Sequence, residues 1–292
     1  MPVGSLSEKI LLLDGAMGTE LQRRGLKLPL PLWSAEANLT DPEIVLAIHR
    51  DYCQAGADII TTNTFRTTTW TYRKAGYSPR RAQERARESL LSAVDLARKA
   101  SGVDKLVAGS LTTLEDCYQP ERFPGPQAAM DTYGETIEWF KSAGVDLLLF
   151  ETMGHPVEIM VALDVSRETG LERWLSLTLK DDRHLLEESE LKSTVQLAKS
   201  EGVGSLLLNC NTVELTKATV PQLLEIWSES WGVYPNLGVE QPEADGTIHE
   251  VVSDEQFITF SRQMQAMGTR VLGACCGSTP RHIALIREKL GL

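Results

Sequence analysis

The sequence predicts an α/β protein that folds as one closed (β/α)8 barrel, and three observations support this. Eight short runs rich in β-branched residues or leucine alternate with longer segments whose apolar residues recur at helical spacing. Such alternation favours parallel strands joined by right-handed helical crossovers, and eight repeats in 292 residues suit a closed barrel better than an open sheet. No linker-like stretch divides the chain, so we expect a single domain, residues 1–292.

Each predicted helix follows a strand and ends near a glycine, a residue that helices favour at their C-terminal cap. The predicted strands are Ile10–Asp14, Asp58–Thr62, Lys105–Gly109, Asp146–Glu151, Trp174–Thr178, Ser205–Cys210, Val233–Gly238 and Arg270–Cys275. The predicted helices span residues 42–56, 78–102, 128–144, 155–170, 191–202, 220–232 and 254–268, with capping glycines at Gly56, Gly102, Gly144, Gly170, Gly202, Gly232 and Gly268. The longest irregular stretches, residues 27–38, 112–127 and 241–250, are predicted to be loops that cover a site.

Composition and charge exclude several classes of partner. The net charge of -11 and a pI near 5.0 provide no basic face for neutralising phosphates, so we expect no nucleic-acid partner. No apolar run reaches the ~18 residues of a membrane span, and the N-terminus lacks the pattern of a signal peptide. We therefore expect a cytoplasmic protein with small-molecule substrates and no membrane partner, and assembly into a homo-oligomer stays open.

Three of the five cysteines fall at predicted strand ends, where the active site of such a barrel is built. Cys210 ends the sixth strand, and Cys275 and Cys276 follow the eighth. Thiolates are good zinc ligands, and three of them leave the exchangeable fourth position that a catalytic zinc requires. Adjacent cysteines can reach one ion only where the chain leaves its strand, and Gly277 suits a turn there.

Two other interpretations of these cysteines stay open at this point. Cys210 and Cys275 could be packed in the barrel core with Cys276 incidental, since a thiol packs as a small apolar group. Cys275 and Cys276 could also form a vicinal disulfide, although that ring strains the backbone and the cytoplasm is reducing. Cys53 is predicted to pack within a helix, whereas the sequence around Cys117 indicates no clear role.

Five segments resemble the homocysteine S-methyltransferase family in order and spacing, from about residue 8 to about residue 288. They are ILLLDGAMGTELQRRG, AGADIITTNTF, LLLFETM, LLLNC and GACCGSTPRHI. This zinc-dependent family includes betaine-dependent and S-methylmethionine-dependent homocysteine methyltransferases and the homocysteine module of methionine synthase. The resemblance implies a barrel fold and a zinc ion bound by Cys210, Cys275 and Cys276, with a homocysteine thiolate as its fourth ligand.

The resemblance also implies roles for two carboxylates. In the family, acidic residues at the first and fourth strand ends hold the amino-acid part of homocysteine, and these map to Asp14 and Glu151. An ammonium group attracts such partners, but Asp14 could equally be a turn residue before Gly15, and Glu151 a charge at a helix N-terminus. We expect Gly15 to belong to the substrate site, and Thr62 and Asn63 to offer hydrogen bonds to the substrate carboxylate.

The expected reaction is methyl transfer from S-methylmethionine, S-adenosylmethionine or betaine to homocysteine, giving methionine. The sequence does not identify the donor, because the segments SLTTLEDCYQPE and YPNLGVEQPEADG depart from the usual family pattern. Whether another thiol or a selenol replaces homocysteine also stays open. Two alternatives remain: the homocysteine-activating module of a split, corrinoid-dependent methionine synthase, and a non-catalytic zinc or redox thiol protein. We expect Lys180 to lie in a solvated loop, and His155 to cap a helix or contact substrate.

Overall fold

The computed structural model describes residues 9–178, 188–240, 242–243 and 246–292. Its eight strands are parallel and follow the order β1-β8-β7-β6-β5-β4-β3-β2, with a parallel bridge between Leu13 and Ile59 that joins β1 to β2. The sheet therefore closes on itself, and the predicted (β/α)8 barrel is confirmed. The strands are β1 (Leu11–Leu12), β2 (Ile59–Thr61), β3 (Leu106–Thr112), β4 (Leu147–Met153), β5 (Glu172–Leu177), β6 (Ser205–Thr212), β7 (Trp231–Asn236) and β8 (Val271–Leu272).

Helices surround this barrel and connect its strands. In the described residues they are α1 (Met17–Arg23), α2 (Ala37–Thr40), α3 (Pro42–Gln54), α4 (Thr69–Lys74), α5 (Pro79–Ser101), α6 (Pro126–Ala143), α7 (Pro156–Ser166), α8 (Glu188–Ser200), α9 (Val213–Leu224), α10 (Asp254–Ala266) and α11 (Pro280–Leu290). None of them, in the part of the chain that is described, is both long and apolar enough to cross a membrane.

Helix α5 illustrates why these segments are helical. The chain enters it through Ser78 in an extended conformation and Pro79 in the first turn, where a missing N–H costs nothing. It ends at Gly102, whose φ of 62° lies in the region that only glycine adopts freely. Its buried residues recur every three or four positions and pack toward α3. They include Ala82, Ala86, Leu90, Ala93 and Ala97.

The predicted helix over residues 220–232 is wrong in its bounds. Helix α9 begins at Val213, directly after β6, because the Thr212 side chain accepts a hydrogen bond from the backbone N–H of Leu215. Gly232 is also not a helix cap, since it lies within β7 and pairs with Val271. A Cβ atom on Gly232 would lie 2.5 Å from Val271, so close packing between strands explains this glycine.

The lower part of the barrel interior is filled by apolar side chains. They form a cluster of Leu13, Ile59, Ala108, Leu147, Leu149, Trp174, Leu207, Tyr234 and Val271, with Cys275 packed against it. The residues that follow on several of the same strands are polar and buried, Glu151 on β4 and Asn209 on β6 among them. The barrel is therefore a packed core below a buried polar layer at the carboxyl ends of the strands.

Candidate metal centre and substrate site

The three cysteines predicted to bind a metal lie together at the carboxyl end of the barrel. The Sγ atoms of Cys210 and Cys275 are 2.8 Å apart, those of Cys275 and Cys276 are 4.0 Å apart, and all three lie within 4.8 Å of one another. Zinc–sulfur bonds of about 2.3 Å in tetrahedral geometry place sulfurs about 3.8 Å apart, close to the Cys275–Cys276 separation and longer than the Cys210–Cys275 separation. All five cysteines are free thiols, so no vicinal disulfide forms, and the cluster fits one zinc ion.

A bulge in β6 directs Cys210 into this cluster. Cys210 has a φ of 55°, which is rare for a residue with a side chain, and the register with β7 shifts between Asn209 and Thr212. Thr152 on β4 also adopts a left-handed conformation, with a φ of 53°, and its backbone N–H donates to Asn209 Oδ1 at 3.0 Å. Each left-handed residue costs of order 1–3 kcal/mol, a strain that clusters at functional sites.

Asn236, at the end of β7, ties the two cysteine segments together. Its Nδ2 donates to the carbonyl of Cys210 at 2.9 Å, and its Oδ1 accepts from the backbone N–H of Cys276 at 3.1 Å. The chain leaves β8 after Leu272, before it reaches Cys275, and Gly277 turns it with a φ of 81°. The prediction of a turn that lets adjacent cysteines face one ion is consistent with this geometry. Asn236 lies within the predicted strand Val233–Gly238, but no sequence pattern indicates its bridging role.

The three thiols affect one another's ionisation. Hydrogen bonds from Cys210 and Cys275 lower the pKa of the Cys276 thiol well below its ordinary range. Hydrogen bonding to Cys275 and Cys276, followed by burial, raises the pKa of Cys210. For Cys275 the contact with Cys210 lowers the pKa, but contact with Cys276 and burial outweigh it, so this pKa is also raised. One thiolate beside two thiols is thus the state favoured without a cation, and a metal ion would stabilise all three thiolates.

Two buried carboxylates also lie at the barrel mouth, Asp14 directly after β1 and Glu151 on β4. Burial raises the pKa of Asp14 to about 8, opposed by hydrogen bonds from Thr61, whose backbone N–H lies 2.9 Å from Asp14 Oδ2. Burial likewise raises the pKa of Glu151 to about 7, opposed by a hydrogen bond with Ser110. The charge of Glu151 also raises the pKa of Asp14, and that of Cys276 raises the pKa of Glu151. The carboxylates and thiols therefore share one electrostatic environment.

Gly15 lies where two elements approach closely. A Cβ atom there would lie 2.5 Å from Ser278 Oγ and 2.6 Å from Tyr52 Oη. The same Ser278 oxygen accepts a hydrogen bond from the backbone N–H of Ala16 at 2.9 Å, and Tyr52 donates to the Ala16 carbonyl at 3.1 Å. The turn after Asp14 is therefore held to the segment after the paired cysteines, and it leaves no room for a side chain at position 15.

The side chains of Thr62 and Asn63 are engaged in internal hydrogen bonds. The Thr62 hydroxyl accepts from the backbone N–H of Ser110 at 3.1 Å and contacts Thr64 Oγ1 at 2.7 Å. The Asn63 amide accepts from Ser34 Oγ at 2.6 Å and donates to Asn38 Oδ1 at 2.9 Å. Both residues are buried near the rim, and their contact with substrate stays a prediction.

The loop after β3 extends over the cysteine side of the site. Tyr118 is 42% exposed, yet its hydroxyl lies 3.5 Å from the carbonyl oxygen of Cys210. The adjacent Cys117 is buried, and its pKa is raised by burial to about 12, with smaller contributions that include Cys276. His155 caps helix α7, accepting from the Glu158 N–H at 3.4 Å. Lys180 lies outside the described residues.

Comparison with known proteins agrees with this architecture. A model of the family described as homocysteine S-methyltransferase matches residues 11–290. The chain is 33% identical over 309 residues to a homocysteine S-methyltransferase of Escherichia coli (strain K12), covering 99% of this chain and 98% of that protein. It is 26% identical to a selenocysteine Se-methyltransferase of Brassica oleracea var. italica, covering 96% and 88% of the two proteins.

A solved structure extends the likeness to three dimensions. The metallated form of the homocysteine methyltransferase MmuM from Escherichia coli superposes with a TM-score of 0.81 at 30% sequence identity, and the alignment covers 96% of each chain. The family model and this structure both span nearly the whole barrel, including the segments that carry the three clustered cysteines and the two carboxylates. The chain therefore belongs to the homocysteine S-methyltransferase family.

Proposed function

We propose that this protein is a zinc-dependent enzyme that transfers a methyl group from a sulfonium or quaternary ammonium donor to the thiol of homocysteine, releasing methionine. The observation that carries the proposal is the cluster of three cysteine sulfurs within 4.8 Å, which shares its barrel mouth with two buried carboxylates. Residues 1–292 act as one homocysteine-binding domain. We place the reaction in the cytoplasm, because the free thiols have to stay reduced.

Cys210, Cys275 and Cys276 are the proposed zinc ligands. Sulfur donors favour zinc over magnesium or calcium, and three protein ligands leave a fourth position for a substrate atom. When bound, zinc supplies the positive charge that keeps a substrate sulfur in its thiolate form at neutral pH. The bulge at Cys210 and the Asn236 bridge hold the ligands in place, as partners outside the ligand set commonly do.

Asp14 and Glu151 bind the ammonium group of homocysteine in this proposal. Each carboxylate pays a desolvation cost for its charge, which is why each pKa is raised. A substrate ammonium between them offsets that cost and their mutual repulsion. The amino acid is then held by its head group while its thiol extends toward the cysteines, which fixes the distance between the reacting groups.

The acidic character of the site supports a cationic donor. Three cysteines and two carboxylates surround the mouth of a protein whose net charge is -11, and the three proposed donors all carry methyl groups on a positive sulfur or nitrogen. The homocysteine sulfur forms a bond to the methyl carbon, and the bond from that carbon to the positive atom breaks. The electron pair of the broken bond stays on the sulfur or nitrogen of the donor, and that atom becomes neutral.

A donor panel tests the proposal. Purified protein with one zinc per chain is incubated with homocysteine and, separately, S-methylmethionine, S-adenosylmethionine, betaine or methylcobalamin, and methionine is quantified. We expect transfer from one of the first three. Transfer from methylcobalamin alone would instead indicate a module of a corrinoid-dependent synthase. No transfer, together with a cobalt-substituted sample whose spectrum ignores homocysteine, would indicate a non-catalytic thiol protein. Repeating the assay with a selenol acceptor tests acceptor choice.

A further inference from the structure

Two buried polar groups beneath the thiol cluster have no hydrogen-bond partner within the described part of the chain. They are the hydroxyl of Tyr234 on β7 and the Nδ2 atom of Asn209 on β6. The two residues are register partners on these adjacent parallel strands, and they are 5% and 0% exposed. A buried donor without an acceptor is costly and rare in native proteins, so two neighbouring ones indicate that an acceptor comes from a ligand.

The orientation of the Asn209 amide is set by its neighbours. Its Oδ1 accepts from the Thr152 backbone N–H at 3.0 Å and from the Ser176 hydroxyl at 2.6 Å. The oxygen is therefore the end that faces these two donors, and the NH2 group is the end left without an acceptor. Ser176 is a polar neighbour of the Tyr234 hydroxyl and lowers its pKa, but no described atom forms a hydrogen bond of good geometry with that hydroxyl.

Tyr234 lies between the two halves of the site. Its ring tops the apolar cluster of the barrel interior, against which Cys275 also packs. Burial raises the pKa of the phenol, and the charges of Glu151, Cys275 and Cys210 add to this increase, whereas Ser176 lowers the pKa. Asn209 immediately precedes Cys210. An acceptor that reaches both donors therefore lies beside the cysteine sulfurs, where the substrate sulfur arrives.

We propose that Tyr234 Oη–H and Asn209 Nδ2–H donate hydrogen bonds to the sulfur of the bound thiol substrate. The inference rests on the proposed function for the identity of the substrate. A thiolate accepts hydrogen bonds from such donors, and charge on the acceptor strengthens them. The two residues are then substrate contacts that orient the sulfur and favour its anionic form, in addition to the carboxylates that hold the amino group.

The test uses Tyr234→Phe, because this change removes only a hydroxyl that makes no hydrogen bond of good geometry with a described residue, whereas changes at Asn209 also break its bonds to Thr152 and Ser176. Tyr72→Phe on α4 is the matched control, since that hydroxyl is also buried, and its pKa responds to Ser89 and Glu36 rather than to the cysteines. Calorimetry on the zinc-loaded protein measures binding of homocysteine and of norvaline, in which a methyl group replaces the thiol.

We expect Tyr234→Phe to weaken homocysteine binding about tenfold and to leave norvaline binding, zinc content and melting temperature unchanged. Tyr72→Phe should change neither affinity. Equal weakening of homocysteine and norvaline binding would assign the contact to the amino-acid head group and overturn the inference. Unchanged homocysteine affinity in Tyr234→Phe would also overturn it. If the wild-type protein binds norvaline but not homocysteine, the inference is wrong, and if it binds neither, the proposed function fails as well.

Discussion

The thiol side of the site, on β6 to β8, and the carboxylate side, on β1 and β4, are built differently. On the thiol side, Cys210 adopts a left-handed conformation within a bulge, and Asn236 ties its carbonyl to the backbone of Cys276. On the carboxylate side Glu151 also lies at a register shift, beside the left-handed Thr152, but the cost that distinguishes this side is electrostatic. Burial raises the pKa of Asp14 to about 8 and that of Glu151 to about 7.

The free-energy cost of forming one site can therefore take two forms, backbone strain and desolvated charge. On the thiol side, binding of one cation by three sulfurs offsets the cost of the strained backbone, because the strained geometry is what brings the sulfurs together. The cost of desolvating the carboxylates is offset when a cationic group binds between them. Substitutions on the first side should therefore change metal content, and substitutions on the second should change substrate affinity and the stability of the free protein.

Loss of a cysteine ligand should produce the largest effect. We expect Cys210→Ser, Cys275→Ser and Cys276→Ser each to lose most bound zinc and at least ~1000-fold in methyl transfer, because a serine hydroxyl resists deprotonation and binds zinc poorly. The barrel should still melt cooperatively, since its core does not depend on the metal. Metal analysis, turnover and calorimetry measure these outcomes. Cys53→Ser on α3 is the control. If one of the three variants keeps full zinc and normal turnover, the substituted cysteine is not a zinc ligand.

A change on the carboxylate side should affect the substrate without affecting the metal. Glu151→Gln should raise the KM for homocysteine by about 10–100-fold, because a charge-assisted hydrogen bond to the ammonium is weakened. Zinc content should stay near one per chain. Steady-state kinetics and metal analysis on the same preparation provide the measurement. Unchanged kinetics, or zinc lost together with affinity, would mean that the two sides are not separable as described.

Asn236 tests whether the thiol side depends on its backbone bridge. Asn236→Ala removes the bonds to both cysteine segments and should weaken zinc affinity by about 10–100-fold, the range typical of residues that orient metal ligands. Asn236→Asp keeps an acceptor for the Cys276 N–H but loses the donor to Cys210, so its zinc affinity should lie between those of Ala and wild type. Competition with a chelator measures it, and wild-type affinity in both variants would refute the bridging role.

The smallest expected effect is a gain in stability. A carboxyl whose folded pKa is raised destabilises the fold progressively as pH rises from its unfolded value, 3.8 for Asp14, toward about 8, and the penalty is complete above that. Asp14→Asn keeps an oxygen for the Thr61 N–H, so we expect the substrate-free protein to gain about 1 kcal/mol at pH 8, or ~2–4 °C in Tm. The gain should vanish near pH 4. A Tm difference independent of pH would contradict the charge explanation.

Much of the fold and the position of the site could be predicted because they follow from local patterns. Alternating strand and helix periodicity predicts a barrel, and the carboxyl ends of parallel strands meet at one edge. Cys210 and Cys275 therefore had to be near each other if their strands were assigned correctly. Gly232 was misassigned as a helix cap because a glycine required for packing between strands looks the same in sequence as one required for a positive φ.

Local patterns in the sequence specify the barrel, the strand ends that carry the cysteines and carboxylates, and, through its motifs, the family. How these groups are held, and at what energetic cost, follows from contacts that form only in the folded protein. The left-handed turn at Cys210, the Asn236 bridge and the raised pKa values of Asp14 and Glu151 depend on segments far apart in the chain. The same is true of the unpartnered Tyr234 hydroxyl. Periodicity reports which face of an element is buried, but hydrogen-bond partners and desolvation depend on what the fold brings against that face.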